Sequence, residues 1–378
     1  MILHPLPSRV NQRADQLAKY LALRGHNIHL VLWDVPYPIT WKNVKYNFAN
    51  SLKYNFEKKG NVNVHKVRRL PFFFPLINKP LFRSQLKKMY KKYDINVVVS
   101  ESYINEAEPP EGPALFYDFV DDHEAYAKFY GSFLYRIAFK ILNVHKSVTN
   151  QIKRSKAVVS VSDMLKDYAK KYNKNSFKLT NGVESWPLNH NFNPDEYNFG
   201  KHSLVYVSGF DHWSNLPNLL HAVNSARKKI PDIQLILVGD GFQIPEGKKI
   251  VEELGLEKNV KFFGKIKDRK KLFKIIQGCN VCLNLSEKNP RQDSASSVKI
   301  FEYSALCKPI ISTRLSEIEK LNFSNVIFYD EGDNKHLINA ILKSFKKKID
   351  KNKVKRFVQK YTWEEIAKQF EEIIYKFK

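Results

Sequence analysis

The sequence predicts an α/β protein made of two doubly wound, Rossmann-like domains facing across a cleft. Three observations carry this. In the second half, short β-branched runs alternate strictly with helical patterns. The first half repeats that alternation less cleanly. Between them, Glu184–Lys201 holds two prolines and is rich in Asn, which reads as a break between domains. The expected organisation is a first domain over 1–184, a linker over 185–201, a second domain over 202–358 and a closing segment over 359–378.

In the first half, Met1–His4 is a short opening strand. Ile28–Trp33, Val62–Val67, Asn96–Ser100, Ala114–Tyr117, Ala157–Val161 and Phe177–Leu179 follow as strands. Helices fit Val10–Arg24, Phe82–Tyr93, Ala125–Lys153 and Asp163–Tyr172. In the second half, Leu204–Val207, Gln234–Val238, Val260–Phe263, Val281–Leu285, Pro309–Ser312 and Val326–Tyr329 read as buried strands. Helices fit Leu216–Lys229, Glu246–Leu254, Arg269–Ile276, Val298–Leu306 and Lys335–Lys347. In the tail, Trp363, Ile366, Phe370, Ile373, Ile374 and Phe377 recur at helical spacing and make an amphipathic helix.

Composition excludes several classes. Of 378 residues, 43% are hydrophobic, enough for real cores. Three cysteines cannot build a disulfide framework, which fits a reducing compartment. The longest apolar stretch, near Leu70–Ile77, falls far short of the ~18 residues that span a bilayer. Nothing at the start reads as a secretory signal.

The net charge of +25 raises the question of nucleic acid. The basic residues are spread over both halves and no recognition motif accompanies them, so no nucleic-acid partner is expected. One stretch differs. Lys66–Lys92 has nine basic residues and no acidic one, beside clustered aromatics. Arg68, Arg69, Lys87 and Lys88 with Phe72, Phe73 and Phe74 suit an anionic membrane surface.

The most informative segment is Leu285–Thr313. A strand ends near Ser286, a polar loop follows, and Ser294, Ser296 and Ser297 offer caps to a helix beginning at Val298. The start of that helix suits a phosphate, with Lys299 in its first turn and Arg291 in the preceding loop. Glu302 shares a face with Lys299 and could accept hydrogen bonds from a ribose diol. Phosphate beside ribose spells a nucleotide. After the first strand, Arg9 and Arg13 could add positive charge toward a diphosphate.

At this point the chain resembles the family-4 type of glycosyltransferases with the GT-B fold. Val298–Ser312 (VKIFEYSALCKPIIS) is similar to that family's donor-site helix and following strand, in which the Glu matching Glu302 holds the donor ribose. Tyr206–Gly241, with Gly209 in its first strand-end loop, resembles the first two donor-domain strands. Asn181–Gly182–Val183 resembles the family's pre-linker motif, and Tyr361–Lys378 the helix that returns to the first domain. Two departures stand out. The family's Arg after the Gly matching Gly209 is Phe210 here, and its second Glu is Ser294, with Asp293 beside it. The resemblance implies a nucleotide-sugar donor as substrate, no cofactor and no metal.

On the acceptor side, Ala114–Tyr126 places Asp118, Asp121, Asp122, His123 and Glu124 after a strand. Asp121, Asp122 or His123 could serve as a general base for a sugar hydroxyl. A helix cap with acidic first-turn residues is the plain alternative. Cys279 and Cys282 read as core packing, and Gly239–Asp240–Gly241 as a strand-end turn.

The expected function is transfer of a sugar from a nucleoside-diphosphate sugar to a glycan or lipid-linked saccharide. The expected location is the cytoplasm, peripheral on the inner face of the membrane. A nucleotide-sugar epimerase on the same fold is the alternative.

Overall fold

The computed structural model describes residues 1–4, 13–32, 53–69, 75–103, 107–130, 136, 140, 143–193 and 196–378; at 75, 76, 126, 127, 129 and 130 it describes the backbone alone. The chain divides into two units, Met1–Asn181 with Trp363–Lys378, and Gly182–Thr362.

The first unit holds an eight-stranded sheet. Its strands are β1 (Ile2–His4), β2 (Ile28–Leu32), β3 (Asn55–Lys59), β4 (Val62–Lys66), β5 (Val97–Ser100), β6 (Ala114–Phe119), β7 (Ala157–Ser160) and β8 (Ser176–Lys178). The order is β3-β4-β2-β1-β5-β6-β7-β8. Every described pair is parallel except β3 with β4. Successive residues of β1 point to opposite faces, so Ile2 joins one core and Leu3 another. On the Ile2 face pack Leu17 and Leu21 of the helix Arg13–Leu23, and Ile366 and Phe370 of the helix Trp363–Phe377. The Leu3 face takes Phe82, Leu86 and Met89 of the helix Pro75–Lys92.

The second unit holds six strands, all parallel: β9 (Ser203–Val207), β10 (Gln234–Val238), β11 (Val260–Phe262), β12 (Val281–Asn284), β13 (Ile310–Thr313) and β14 (Val326–Tyr329), in the order β11-β10-β9-β12-β13-β14. Val205, Ile236, Cys282 and Ile310 face one core, and Leu204, Leu235, Leu283 and Ile311 the other. Both faces of these four strands are buried, which is why they read as continuous apolar runs, whereas Lys261 on the edge strand β11 is exposed.

In each unit the strand order reverses beside the first strand: between β1 and β5, and between β9 and β12. Ligands of open α/β sheets bind outside the carboxyl ends of the strands at such a reversal.

Several elements differ from expectation. The segment 185–201 is part of the second unit, because Leu188 and Trp186 pack into its core with Phe192, Tyr197 and Phe199. The helix expected from Phe82 begins at Pro75 and contains Pro80. The single helix expected over 125–153 is two described helices, His123–Tyr130 and Val144–Arg154, with Asn143 left-handed at φ 49° before the second. Cys279, Cys282 and Cys307 are free and buried.

The membrane reading of 66–92 changes in part. Phe72, Phe73 and Phe74 lie outside the described residues. Arg69 is 5% exposed, so it is not the surface cation expected. Phe82 turns into the core because that face of its helix covers the sheet. Arg68, Lys87 and Lys88 are exposed. Among the described residues no helix is long and apolar enough to cross a membrane.

Candidate active site

In the second unit, β9 runs out at Val207 into Ser208, Gly209 and Phe210. Phe210 is buried at φ 40° with its ring edge-on to Tyr206. Gly209 is exposed, and a Cβ there would meet nothing within 4 Å. The turn after β10 packs backbone to backbone against it. A Cβ on Gly239 would lie 1.8 Å from the Ser208 carbonyl oxygen, and one on Gly241 1.9 Å from that of Gly209. Only glycine fits at this approach.

The helix Val298–Ala305 starts beside the end of β12. Ser297 occupies its N-cap position, but its hydroxyl donates to Asn284 Oδ1 at 2.8 Å and makes no cap bond to the helix. Asn284 Nδ2 donates in turn to Ser312 Oγ at 3.0 Å. Thr313 Oγ1 accepts from Ser286 N–H and donates to the Ser286 carbonyl, at 3.0 and 2.9 Å. This neutral network pins the helix start while leaving its first-turn N–H groups without a side-chain cap. Those groups and the helix dipole favour an anion.

Lys299 Nζ lies 5.0 Å from the centre of the Tyr206 ring. Burial of the ammonium brings its pKa down to about 8, with the Glu302 charge pulling the other way, so it is still cationic at pH 7. Val298, half-buried, opens the helix. Arg291 stacks its guanidinium 4.9 Å over the Trp213 ring. Asp293 points elsewhere: its Oδ1 accepts from Ser316 N–H and hydroxyl at 2.8 and 3.1 Å, at the start of the helix Ser316–Leu321.

Glu302 is 5% exposed and takes a 2.5 Å hydrogen bond from Arg269 Nη2. The Arg269 Nε lies 3.5 Å from Glu184 Oε2, and the guanidinium stacks 4.9 Å over Phe273. Sequence reasoning missed Arg269 and Glu184. The available signals were the Asp268 cap that starts the Arg269 helix, and the position of Glu184 just after Asn181–Gly182–Val183.

In the first unit, four charged or titratable side chains meet at the reversal of strand order. His4 ends β1, Glu101 follows β5, Asp118 sits on β6, and Arg13 opens the first helix. His4 Nδ1 lies 2.6 Å from Glu101 Oε2. Arg13 Nε donates to both Asp118 oxygens at 3.1 and 2.8 Å, and its Nη1 to the Thr180 carbonyl at 2.7 Å. Burial pushes the Asp118 carboxyl up to about 7; Arg13 opposes that rise and Glu101 adds to it.

The phosphate contact expected for Arg13 is therefore corrected. Arg13 is 7% exposed, and its guanidinium serves as the counter-ion of a buried carboxylate. Arg9 lies outside the described residues. Of the acceptor-side candidates, Asp122 Oδ1 accepts from Ala125 N–H at 2.9 Å and caps the helix His123–Tyr130. His123 stacks on Tyr103 with ring centres 3.5 Å apart. Asp121 is half-buried just before them. Glu124 turns to His145 at 2.8 Å. The acidic run is thus dispersed by its local fold, and Asp118 is the member seen to join the strand-end cluster described above.

Residues 191–373 match the family described as Glycosyl transferases group 1. No curated protein gives a significant match. Solved structures similar over nearly the full length include HepE of Anabaena in complex with UDP, at 16% identity over 99% of each chain with a TM-score of 0.67. A glycosyltransferase from Rickettsia africae ESF-5 is 16% identical over 100% of this chain and 98% of its own, TM-score 0.68. WaaG, a glycosyltransferase involved in lipopolysaccharide biosynthesis, is 15% identical over 98% and 94%, TM-score 0.64. None of this supports the epimerase alternative. With two Rossmann-like sheets and a second unit that carries the group 1 match, this chain is a glycosyltransferase of the GT-B fold whose second unit is similar to the glycosyl transferases group 1 family.

Proposed function

We propose that the chain transfers a sugar from a nucleoside-diphosphate sugar to a glycan or lipid-linked saccharide. The diphosphate binds at the start of the helix Val298–Ala305, at Ser297, Val298 and Lys299, with Arg291 and the Gly209 loop beside it. Glu302 takes the ribose. The observation that carries this reading is the Ser297 hydroxyl, which is drawn to Asn284 and leaves the first-turn N–H groups without a side-chain cap next to a cationic Lys299. As the bond to the sugar breaks, the leaving diphosphate gains charge, which these donors stabilise without a resident metal. HepE bound to UDP and to UDP-glucose supports the donor class.

A thermal-shift series with UDP-, GDP- and dTDP-sugars tests it, because a ligand bound by the folded state raises the melting point. One nucleotide class raises it, and Lys299→Met weakens that ligand about tenfold or more. No shift with any of them overturns the reading. The exposed Arg68, Lys87 and Lys88 support peripheral attachment to the inner face of an anionic membrane. Vesicles of phosphatidylglycerol bind the wild type and not Lys87→Glu/Lys88→Glu; equal binding removes that part.

A further inference from the structure

We infer that Arg269 is a positioning residue of the donor site, and that it makes the site selective for ribose. Its guanidinium holds the Glu302 carboxylate ionised and in one orientation, with one oxygen left over for the sugar hydroxyls. A ribonucleoside diphosphate is therefore taken in preference to its 2′-deoxy form. The inference deepens the donor reading above and rests on it. Glu184, Arg269, Phe273, Lys299 and Glu302 all lie in the second unit.

A carboxylate as buried as that of Glu302 needs a counter-charge. Arg269 supplies it, with Nη2 donating to Oε1 at 2.5 Å. Lys299, one turn nearer the helix start, makes no ion pair with it. Among the described residues Arg269 is thus the cation that this carboxylate touches. Its other oxygen, Oε2, accepts no hydrogen bond among the described residues. Buried polar atoms are as a rule hydrogen-bonded, so an open oxygen on a side chain this deeply placed is an acceptor kept for a ligand.

Arg269 is itself held from several sides. Asp268 accepts from the N–H groups of Lys270 and Lys271 at 2.8 and 3.2 Å and so fixes the start of the helix Arg269–Gln277. The guanidinium lies 4.9 Å over Phe273, one turn further on. Trp186 meets the same Phe273 ring edge-on, with centres 5.0 Å apart, and Glu184, two residues before it, comes to 3.5 Å from Arg269 Nε. That second contact is an ion pair without hydrogen-bond geometry, whereas the contact to Glu302 is a hydrogen bond. The stronger bond goes to the carboxylate that meets the donor. A planar guanidinium fixes the direction of the carboxylate it bonds, where an ammonium would act as a point charge.

Titration calorimetry on the full-length protein tests this, with dTDP and with UDP and GDP, each of the latter two beside its 2′-deoxy counterpart. The wild type prefers the ribose form about tenfold or more, because the deoxy form lacks a hydroxyl that donates to a charged acceptor. Arg269→Met, which keeps an apolar stem over Phe273, levels the two forms, chiefly by weakening the ribose one. Arg269→Lys keeps the charge without the fork and falls between. A merely structural role would weaken both forms alike and leave their ratio unmoved. If Arg269→Met loses its melting transition, Arg269→Lys decides, with a preference at least about threefold below wild type. An unchanged preference in the variant that folds overturns the assignment, as does a wild type that binds dTDP alone. A preference that survives Arg269→Met and is lost in Glu302→Gln overturns this inference while the donor reading stands. No binding of any nucleotide by the wild type fails the donor reading, and the assignment with it.

Discussion

The two sheets share a winding pattern but differ in what stands at their carboxyl ends. In the first unit the ends of β1, β5 and β6 carry a row of titratable groups, His4, Glu101, Asp118 and Arg13, almost wholly buried. In the second, the ends of β12 and β13 carry hydroxyls and an amide, Asn284, Ser297, Ser312 and Thr313. A buried ion pair is costly to break from one side, because the remaining charge has no water. A neutral network loses little more than a hydrogen bond.

Substitutions can break or sharpen this contrast, and amide exchange read separately over 1–181 and 182–362 distinguishes the units. The largest effect belongs to backbone packing in the second. Gly241→Ala forces a Cβ against the Gly209 carbonyl at a φ of 156°, and should destabilise that unit by about 3–5 kcal/mol. A loss under about 1 kcal/mol would show that the turn can move aside.

Next is Arg13→Leu, which leaves Asp118 buried without its counter-ion. The expected loss is about 3–5 kcal/mol in the first unit at pH 8. It shrinks at pH 5, where Asp118, already raised to about 7, is neutral. Chemical denaturation at both pH values measures it, and equal losses would contradict the pairing.

A third effect concerns pH alone. His65, stacked on His29 and bonded to it at 2.9 Å, is lowered to about 4, chiefly by burial. Its folded pKa lies below the unfolded value near 6.5, so its stabilisation is present above 6.5 and lost as pH falls toward 4. Asp118 has the opposite sign: raised from about 4 to about 7, its contribution is full below 4 and lost as pH rises through 7. The two slopes oppose each other between pH 4 and 6.5. His65→Gln removes one of them, and the first unit should then gain stability on acidification, by about 1–3 kcal/mol relative to wild type. A denaturation midpoint that tracks wild type over this range would refute the burial of His65 as a neutral ring.

Ser297→Ala is the smallest. It removes the 2.8 Å bond to Asn284 and should cost about 1 kcal/mol, with no dependence on pH between 5 and 8. A cost that varied with pH would mean that the second network is not neutral.

How much of this could be read beforehand varied with the kind of interaction. All six strands of the second unit were legible: β9, β10, β12 and β13 are short apolar runs buried on both faces, and the edge strands β11 and β14 keep Val260 and Val326 in the core. β3 was not: Asn55–Lys59 is exposed throughout and polar, and only antiparallel pairing with β4 makes it a strand. Pro80 hid the first turns of its helix, since proline removes a donor and usually ends one. At the candidate site, Lys299, Glu302 and Ser297 stood out as a helix start after a polar loop. Arg269 did not, because nothing local tells an arginine 33 residues away which carboxylate it will meet.

By itself the sequence determined the periodicities: which runs are buried strands, which helix faces are apolar, and where chemistry-bearing side chains fall relative to strand ends. These are local properties, set by side-chain spacing against the helical and strand repeats. Tertiary structure decided the partners. It sent Arg13 to Asp118, 105 residues away, and His4 to Glu101, 97 residues away. The reason is physical: a buried charge must find its counter-ion, and parallel strands brought side by side by crossovers supply one from remote sequence.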